Sequence, residues 1–239
     1  VTWTAVGSAL GGATANLSTN NQAVGNLLIV EVINDSNSTV WATGLSGGGA
    51  SWVAAGVKFS GTTNAKSAAV FFGTVTATGA GTATISWSGT APATWSTAGQ
   101  EFHSTAGSWA FDKQGNLDSG GTSNWPSLTP AGTGELYWGF ISDSGSSVAG
   151  STSGYTYNAN ADTTSDGMAY NLSVSSASFP VWGDAGQQFG IVILVAESAA
   201  SSFPAVPRQA NRYWNKRRRR PQTRVPSYPP PFEGWGVPL

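Results

Sequence analysis

Leu27-Leu-Ile-Val-Glu-Val-Ile33 and Phe189-Gly-Ile-Val-Ile-Leu-Val-Ala196 are almost continuously apolar and rich in β-branched side chains. A strand buried on both faces reads this way, because neither face meets water and the usual alternation is lost. Neither run approaches the roughly 20 apolar residues of a membrane-spanning helix. The two predict central strands covered on both faces, and they would suit neighbouring places in one sheet.

Outward from these runs the pattern stays β. Gly81-Thr-Ala-Thr-Ile-Ser-Trp-Ser88 alternates and puts Ala83, Ile85 and Trp87 on one side, and Ser67-Ala-Ala-Val-Phe-Phe-Gly-Thr-Val-Thr76 behaves similarly. Clusters of Gly, Ser, Asn and Asp separate such runs, and no amphipathic helical stretch of useful length interrupts them, so the class is all-β. Gly25-Asn-Leu-Leu-Ile-Val-Glu-Val-Ile-Asn-Asp-Ser resembles Gly134-Glu-Leu-Tyr-Trp-Gly-Phe-Ile-Ser-Asp-Ser, with one residue of slip. Each half then closes on a strand carrying a terminal acid, Glu101 or Glu197. A two-fold plan of this kind suits a jelly-roll-like antiparallel β-sandwich made of two Greek keys. Chance recurrence of Gly-x-Leu openings and Asp-Ser turns in a Ser-rich chain is the competing explanation.

Charge divides the 239 residues sharply. Residues 1–207 hold Lys58, Lys66 and Lys113, no Arg and 11 acids, a formal charge of −8. Residues 208–239 hold seven Arg, Lys216 and the single acid Glu233, a charge of +7. The total of −1 therefore describes neither region, and a globally basic nucleic-acid binder is excluded. Eight of the 12 prolines fall after residue 203, which rules out a sheet strand or a long helix there. The expected organisation is a sandwich body over 1–199 and an extended Pro/Arg-rich arm over 200–239.

The arm carries Arg217, Arg218, Arg219 and Arg220 among the aromatics Trp214, Tyr228, Phe232 and Trp235. An arginine run can neutralise phosphates, act as a localisation signal, meet an acidic protein surface, or simply be solvated. Interleaved Pro and aromatics favour a protein partner, since apolar anchors fit pockets rather than phosphates. Nucleic acid is the weaker reading. An acidic surface is available on this chain's own body, so copies could associate and a homo-oligomer is expected.

Composition removes most chemistry. Without Cys there is no disulfide, thiolate metal site or cysteine nucleophile, and the one His, His103, cannot make a multi-histidine site. No Gly-x-Ser-x-Gly elbow accompanies His103, so a Ser-His-Asp arrangement is not read. A glycosidase needs two facing carboxylates, for which Glu31, Glu101 and Glu197 are the strand-borne candidates; structural hydrogen bonding is the preferred role for all three. The segments Asp112–Asp118 and Asp162–Asp166 gather oxygen ligands but lack EF-hand spacing, leaving a Ca²⁺ site open and no cofactor expected. Trp41 and Trp52 flank Ser46-Gly-Gly-Gly49, and Trp125 sits in Ser123-Asn-Trp-Pro-Ser127. Aromatics on sandwich loops can stack on sugars, or fill a core or subunit interface.

The order Gly25-Asn-Leu-Leu-Ile-Val-Glu-Val, Gly47-Gly-Gly-Ala-Ser-Trp-Val, Ala69-Val-Phe-Phe-Gly-Thr-Val through Ile85-Ser-Trp, Gln100-Glu-Phe, and Gly134-Glu-Leu-Tyr-Trp resembles a β-sandwich module of minor tail proteins from tailed phages of actinobacteria. The resemblance covers about residues 3–199 and leaves the arm outside it. It implies a virion structural protein rather than an enzyme, assembled in the host cytoplasm and displayed on the particle exterior. Tail or capsid subunits would be its partners, held through residues 200–239, with a host cell-surface glycan as a further contact and no membrane. A capsid decoration or head-fibre protein of the same class, or a free lectin-like module, are the alternatives.

Overall fold

A computed structural model describes residues 2–12, 16–21, 23–36, 39–161 and 165–198. Every regular element among them is a strand, and every strand pair is antiparallel. The first half of the body contributes β1 (Trp3–Gly12), β2 (Asn16–Asn21), β3 (Leu27–Asn34), β4 (Ala42–Gly47), β5 (Ala50–Ser60), β6 (Ser67–Val75), β7 (Gly79–Trp87) and β8 (Trp95–Ser104). The second contributes β9 (Trp109–Thr122), β10 (Glu135–Asp143), β11 (Thr156–Asn158), β12 (Gly167–Val174) and β13 (Gln187–Glu197). They form a five-stranded sheet β1-β8-β3-β6-β5, a second five-stranded sheet β11-β12-β10-β13-β9, and a three-stranded sheet β2-β7-β4.

The two five-stranded sheets have the same connectivity. Numbered within its own sheet, each runs first–fifth–second–fourth–third, with β1, β3, β5, β6 and β8 matched by β9, β10, β11, β12 and β13. Register agrees with the Gly25 and Gly134 repeat, though it sets Glu101 level with Leu194 rather than with Glu197. Ile29 lies opposite Gln100 and Phe72, and Trp138, its counterpart, lies opposite Ile193 and Tyr170. The halves of the sequence repeat are therefore two copies of one five-strand plan. The first copy differs by its inserted strands β2, β4 and β7, which form the three-stranded sheet.

Three apolar layers follow from this stacking. Leu27, Ile29, Ile33, Val70 and Phe102 of the first sheet pack against Trp138, Phe140, Ile191, Ile193 and Val195 of the second. On the other face of the first sheet, Leu28, Val30, Val32 and Phe71 meet Ala42, Leu45, Ala83 and Ile85 of the small sheet. On the far face of the second, Tyr137, Ile141, Val192 and Leu194 are covered by Trp125, Leu128 and Trp182 from loops. Both opening stretches are thus buried on both faces, as their composition predicts. They are not neighbours in one sheet: β3 and β13 lie in facing sheets, because each sheet is completed from one contiguous half. The two halves do not interleave as two Greek keys of one roll.

A buried carboxyl crosses the central layer. Glu31 is fully buried, and its Oε1 accepts the Ile191 N–H at 2.9 Å. The backbone N–H of Phe140, the residue opposite Ile191, also favours the charged form of this carboxyl. At the layer's edge, Asp118 on β9 accepts the N–H groups of Thr62, Thr63 and Asn64 at 2.7, 2.9 and 3.0 Å. Gly61 must stay small here, since a Cβ would lie 2.6 Å from Phe189.

Candidate functional site

Clefts open at the two ends of β10. The first, about 460 Å³, falls where β3, β6 and β8 meet the end of β10 and the start of β12. Its one cation, Lys66, is already engaged among the acids Asp35, Asp143 and Asp166. Lys66 Nζ lies 2.9 Å from Asp35 Oδ1 and donates to Ser142 Oγ at 2.6 Å, while Ser96 Oγ donates to Asp35 at 3.1 Å. Asp143, 8% exposed, is fixed by the Gly145 N–H and the Gln187 amide, at 2.7 and 2.5 Å. Burial, and then the Asp184 carboxyl beside it, hold Asp143 above the ordinary range. Burial also pulls Asp184 upward, but the Val148 and Gly186 N–H groups outweigh it and leave that carboxyl low. Of the two carboxyls, Asp143 is the one that takes up a proton first as pH falls.

The second cleft, also about 460 Å³, opens at the start of β10 and the end of β13, between Glu135 and Glu197. Among the described residues no cationic side chain lines it. Glu135, 2% exposed, uses Oε1 to accept the Gly132 N–H at 2.7 Å. Glu197, half-buried, uses Oε1 to accept from Ser104 Oγ at 2.6 Å. The Oε2 atom of each is buried and receives no N–H or O–H donor. The neighbour of Glu135 is the Asp112 carboxyl, with which it can only share a proton. Burial, then the Asp112 charge, raise Glu135 above its usual range against the Gly132 N–H. Lys113 offers little relief, since its Nζ is 2.7 Å from the Thr129 carbonyl. Ser173, Ser175 and Thr133 complete a polar wall.

The strand-borne acids named from sequence do not form a facing pair. Neighbouring strand residues point to opposite faces, so Glu31 faces the second sheet while Glu101 faces the small sheet's side. Glu101 accepts from Asn26 Nδ2 at 2.5 Å, and Asn26 Oδ1 lies 3.0 Å from Nδ1 of exposed His103. Glu197 stands six residues along β13 from Ile191, the residue Glu31 reaches, or about 20 Å at strand rise. Sequence reasoning missed Glu135, whose signal was the Gly132-Thr-Gly-Glu135 run. Glycines there leave backbone N–H groups free to approach a strand-initial carboxylate.

The tryptophans named for glycan contact fare differently. Trp125 is 2% exposed, tilted against Trp182 at 5.2 Å, with its indole N–H on Gln187 at 3.2 Å, so it has no face for a sugar. Trp41 is half-buried and has the Lys58 ammonium 2.8 Å from its ring centroid. Trp52 donates its indole N–H to the Gly47 carbonyl at 2.8 Å and lies so near Gly73 that a Cβ there would be 2.8 Å from its ring. All three serve local packing. Asp112 and Asp118 lie within β9 rather than in a loop, about 20 Å apart, so they cannot converge on one ion. Asp162 lies outside the described residues, and among those described no group of three or more His, Asp or Glu is placed to hold a metal. Arg217, Arg218, Arg219, Arg220, Trp214, Tyr228, Phe232 and Trp235 also lie outside the described residues.

Glu135 and Glu197 flank the second cleft from opposite faces of the sheet, and the buried Oε2 of Glu31 likewise has no donor. No protein-family model, curated protein or solved structure matches this chain.

Proposed function

We propose that this chain is a structural component of a phage particle, most simply a minor tail protein whose sandwich is displayed outward and whose basic arm anchors it. The observation that carries the reading is the strand pairing of residues 3–104. There β1 pairs with β8, β2 with β7 and β3 with β6, while β4 and β5 follow one another through the Gly47–Gly49 turn. We read this nesting as that of a rolled-up hairpin, as in jelly rolls, an architecture frequent in capsid and lectin domains. Here it carries a second five-stranded sheet on its back. The segregation of charge into a −8 body and a +7 arm supports an anchoring role for the arm.

A capsid decoration or head-fibre protein differs from this only in location. The free lectin-like alternative is weakened, because Trp125 is buried and Trp41 and Trp52 are engaged locally. The test is incorporation. Full-length chain should be found by mass spectrometry in purified particles, and a chain truncated after Ala199 should remain folded and soluble but be absent from them. Normal incorporation of the truncated chain would sink the reading.

A further inference from the structure

We propose that the flank of the body formed by the edge strands β5 and β9 is an interface between two copies of this chain, related by a two-fold axis normal to the sheets. Each strand pairs on one side only, β5 with β6 and β9 with β13. Alternate N–H and C=O groups on their outer sides therefore have no ladder, over strands of 11 and 14 residues. The two lie on the same flank, because β5 touches β9 across the central layer and Asp118 of β9 holds the loop that follows β5. What is exposed there is apolar. Val53 on β5 and Phe111 on β9 point into the central layer from its two sides, as do their cross-strand partners Phe72 and Val195. Yet Val53 is 61% and Phe111 39% exposed. The stack of Phe59 on Phe189 closes this layer at the Asp118 end, and the opening lies where Val53 and Phe111 stand. Beside it, where β4 and β5 part, a cleft of about 270 Å³ is lined by Trp41, Ala42, Ala54, Ala69 and Phe71. Apolar surface gathered on one flank in this way marks an interaction site.

Strand direction selects the occupant. β5 runs with β3, and β9 with β10. β3 and β10 run the same way, since Ser104 meets Glu197 at one end of the two sheets and Lys66 meets Ser142 at the other. The two edges therefore run in one sense, about 10 Å apart as facing sheets are. A partner that extends both sheets must present two such edges, both reversed. A two-fold axis normal to the sheets supplies them from a second copy, setting β5 antiparallel to its mate and β9 to its own. Residues 50–54 and 113–118, clear of the register shifts, would form the new ladders. A single extended peptide would fill one edge and leave the other, with Val53 or Phe111, uncovered. Charge permits the pairing, because Lys58 and Lys113 cancel Asp112 and Asp118 on these strands, whereas the body as a whole carries −8. The opposite flank offers less. There β11 has three residues and β2 six, and none of the exposed large apolar residues described lies on β1 or β11.

The interface does not depend on the particle reading, since a free module with this flank pairs in the same way. Full-length chain would be followed by analytical ultracentrifugation, and by hydrogen exchange at low and high protein concentration. Expected is a concentration-dependent dimer, with added protection confined to peptides covering residues 50–60 and 109–118 and none over 2–12. Val53→Lys, at an exposed site, puts a cation into each half of an apolar contact and should weaken dimerisation about tenfold or more with circular dichroism unchanged. Phe111→Lys is the second variant and should act alike, whereas Val148→Lys, also exposed but on the loop layer, should leave the dimer as it is. A monomer at every concentration overturns the proposal. So does a dimer whose added protection lies elsewhere, the arm included, or a folded Val53→Lys chain that dimerises like the parent. Should both lysine variants fail to fold, the exchange pattern of the parent chain decides alone. A monomer that enters particles normally would refute the interface and leave the particle reading standing; a dimer excluded from particles would do the reverse.

Discussion

The two halves of the body share a strand plan and differ in what covers it. Outside the first five-stranded sheet lies another sheet, whose backbone satisfies itself by its own ladders. Outside the second lies a layer of loops, which must find partners for its backbone elsewhere. It finds them partly in isolated bridges, Asn124 with Val181 and Leu128 with Ser178, and partly in side chains. Tyr137 and Tyr157 donate their hydroxyls to the carbonyls of Pro126 and Val181, Thr152 Oγ1 accepts the Val181 N–H, and Asp184 accepts those of Val148 and Gly186. The apolar material differs accordingly. Between the two pleated sheets aliphatics and Phe71 fill the centre, with Trp52, Trp87 and Trp95 at the margin, whereas under the loops Trp125, Trp182, Tyr137, Tyr155 and Tyr157 form a continuous aromatic set. A sheet face can thus be sealed by ladder or by aromatic loop, and the second route concentrates stability in fewer residues.

The largest expected effect breaks the loop cover. Trp125→Ala should cost about 3–5 kcal/mol, because the ring is buried and cannot be replaced by neighbours tied to turns. Its comparison is Ile85→Ala in the small sheet, expected near the lower end of the usual range of about 2–5 kcal/mol, since Ile85 is 7% exposed and its ladder remains. Denaturant midpoints of the two variants decide the matter. An unchanged midpoint for Trp125→Ala would mean that the loops are not a structural layer.

A smaller effect sharpens the equivalence of the halves. In the first, Val30 on β3 lies opposite Gly99 on β8; in the second, Gly139 on β10 lies opposite Val192 on β13. The large and small partners have exchanged strands while the pair's place is kept. A Cβ on Gly139 would fall 2.5 Å from Val192 Cγ1, so Gly139→Ala should cost about 1–3 kcal/mol by overpacking. Adding Val192→Ala should restore part of that loss, giving a coupling of about 1 kcal/mol in a double-mutant cycle. Strict additivity would show that the two pairs are not packed alike.

Much of this was legible in the residues. The doubly buried runs, the all-β class and the repeat starting at Gly25 and Gly134 came directly from apolar content and spacing. The partition into sheets did not, because the hydrophobic pattern of β3 or β13 reports only that both faces are covered, not by which strands. Trp125 was misplaced for a related reason. Its surroundings, Ser123-Asn-Trp-Pro-Ser127, are those of an exposed loop, and only the fold shows that loop lying across a sheet. Glu197 was visible as a strand-end acid, but that its side chain faces the first sheet while Glu135, beside it on the ladder, faces the loops depended on the register of β10 and β13.

The smallest effect concerns the position where the halves differ most in chemistry. Glu31 occupies in β3 the place that Phe140 holds in β10, as their pairing with Ala98 and Ile191 shows. Burial pushes the Glu31 carboxyl well above its ordinary value of 4.5, against the hydrogen bonds from Ile191 and Phe140, with Asp166 adding to the rise. The folded chain then holds a proton that the unfolded chain releases earlier. Its contribution to stability is full below the unfolded carboxyl range and is lost as pH rises through the folded value. Glu31→Gln keeps an acceptor for Ile191 and cannot ionise, so it should match the parent to within about 1 kcal/mol in acid and become the more stable of the two as pH rises. Asp143 and Glu135, also raised by burial, act in the same direction in both chains and leave a residual slope. Asp118 and Asp184, held low, oppose it, since their contributions are lost as pH falls. Unfolding curves collected from about pH 4 to about pH 8 isolate the Glu31 part as the difference between the two proteins. Parallel curves would mean that Glu31 is already ionised in the folded chain, and that the central layer tolerates a buried charge where the second half has only a phenyl ring.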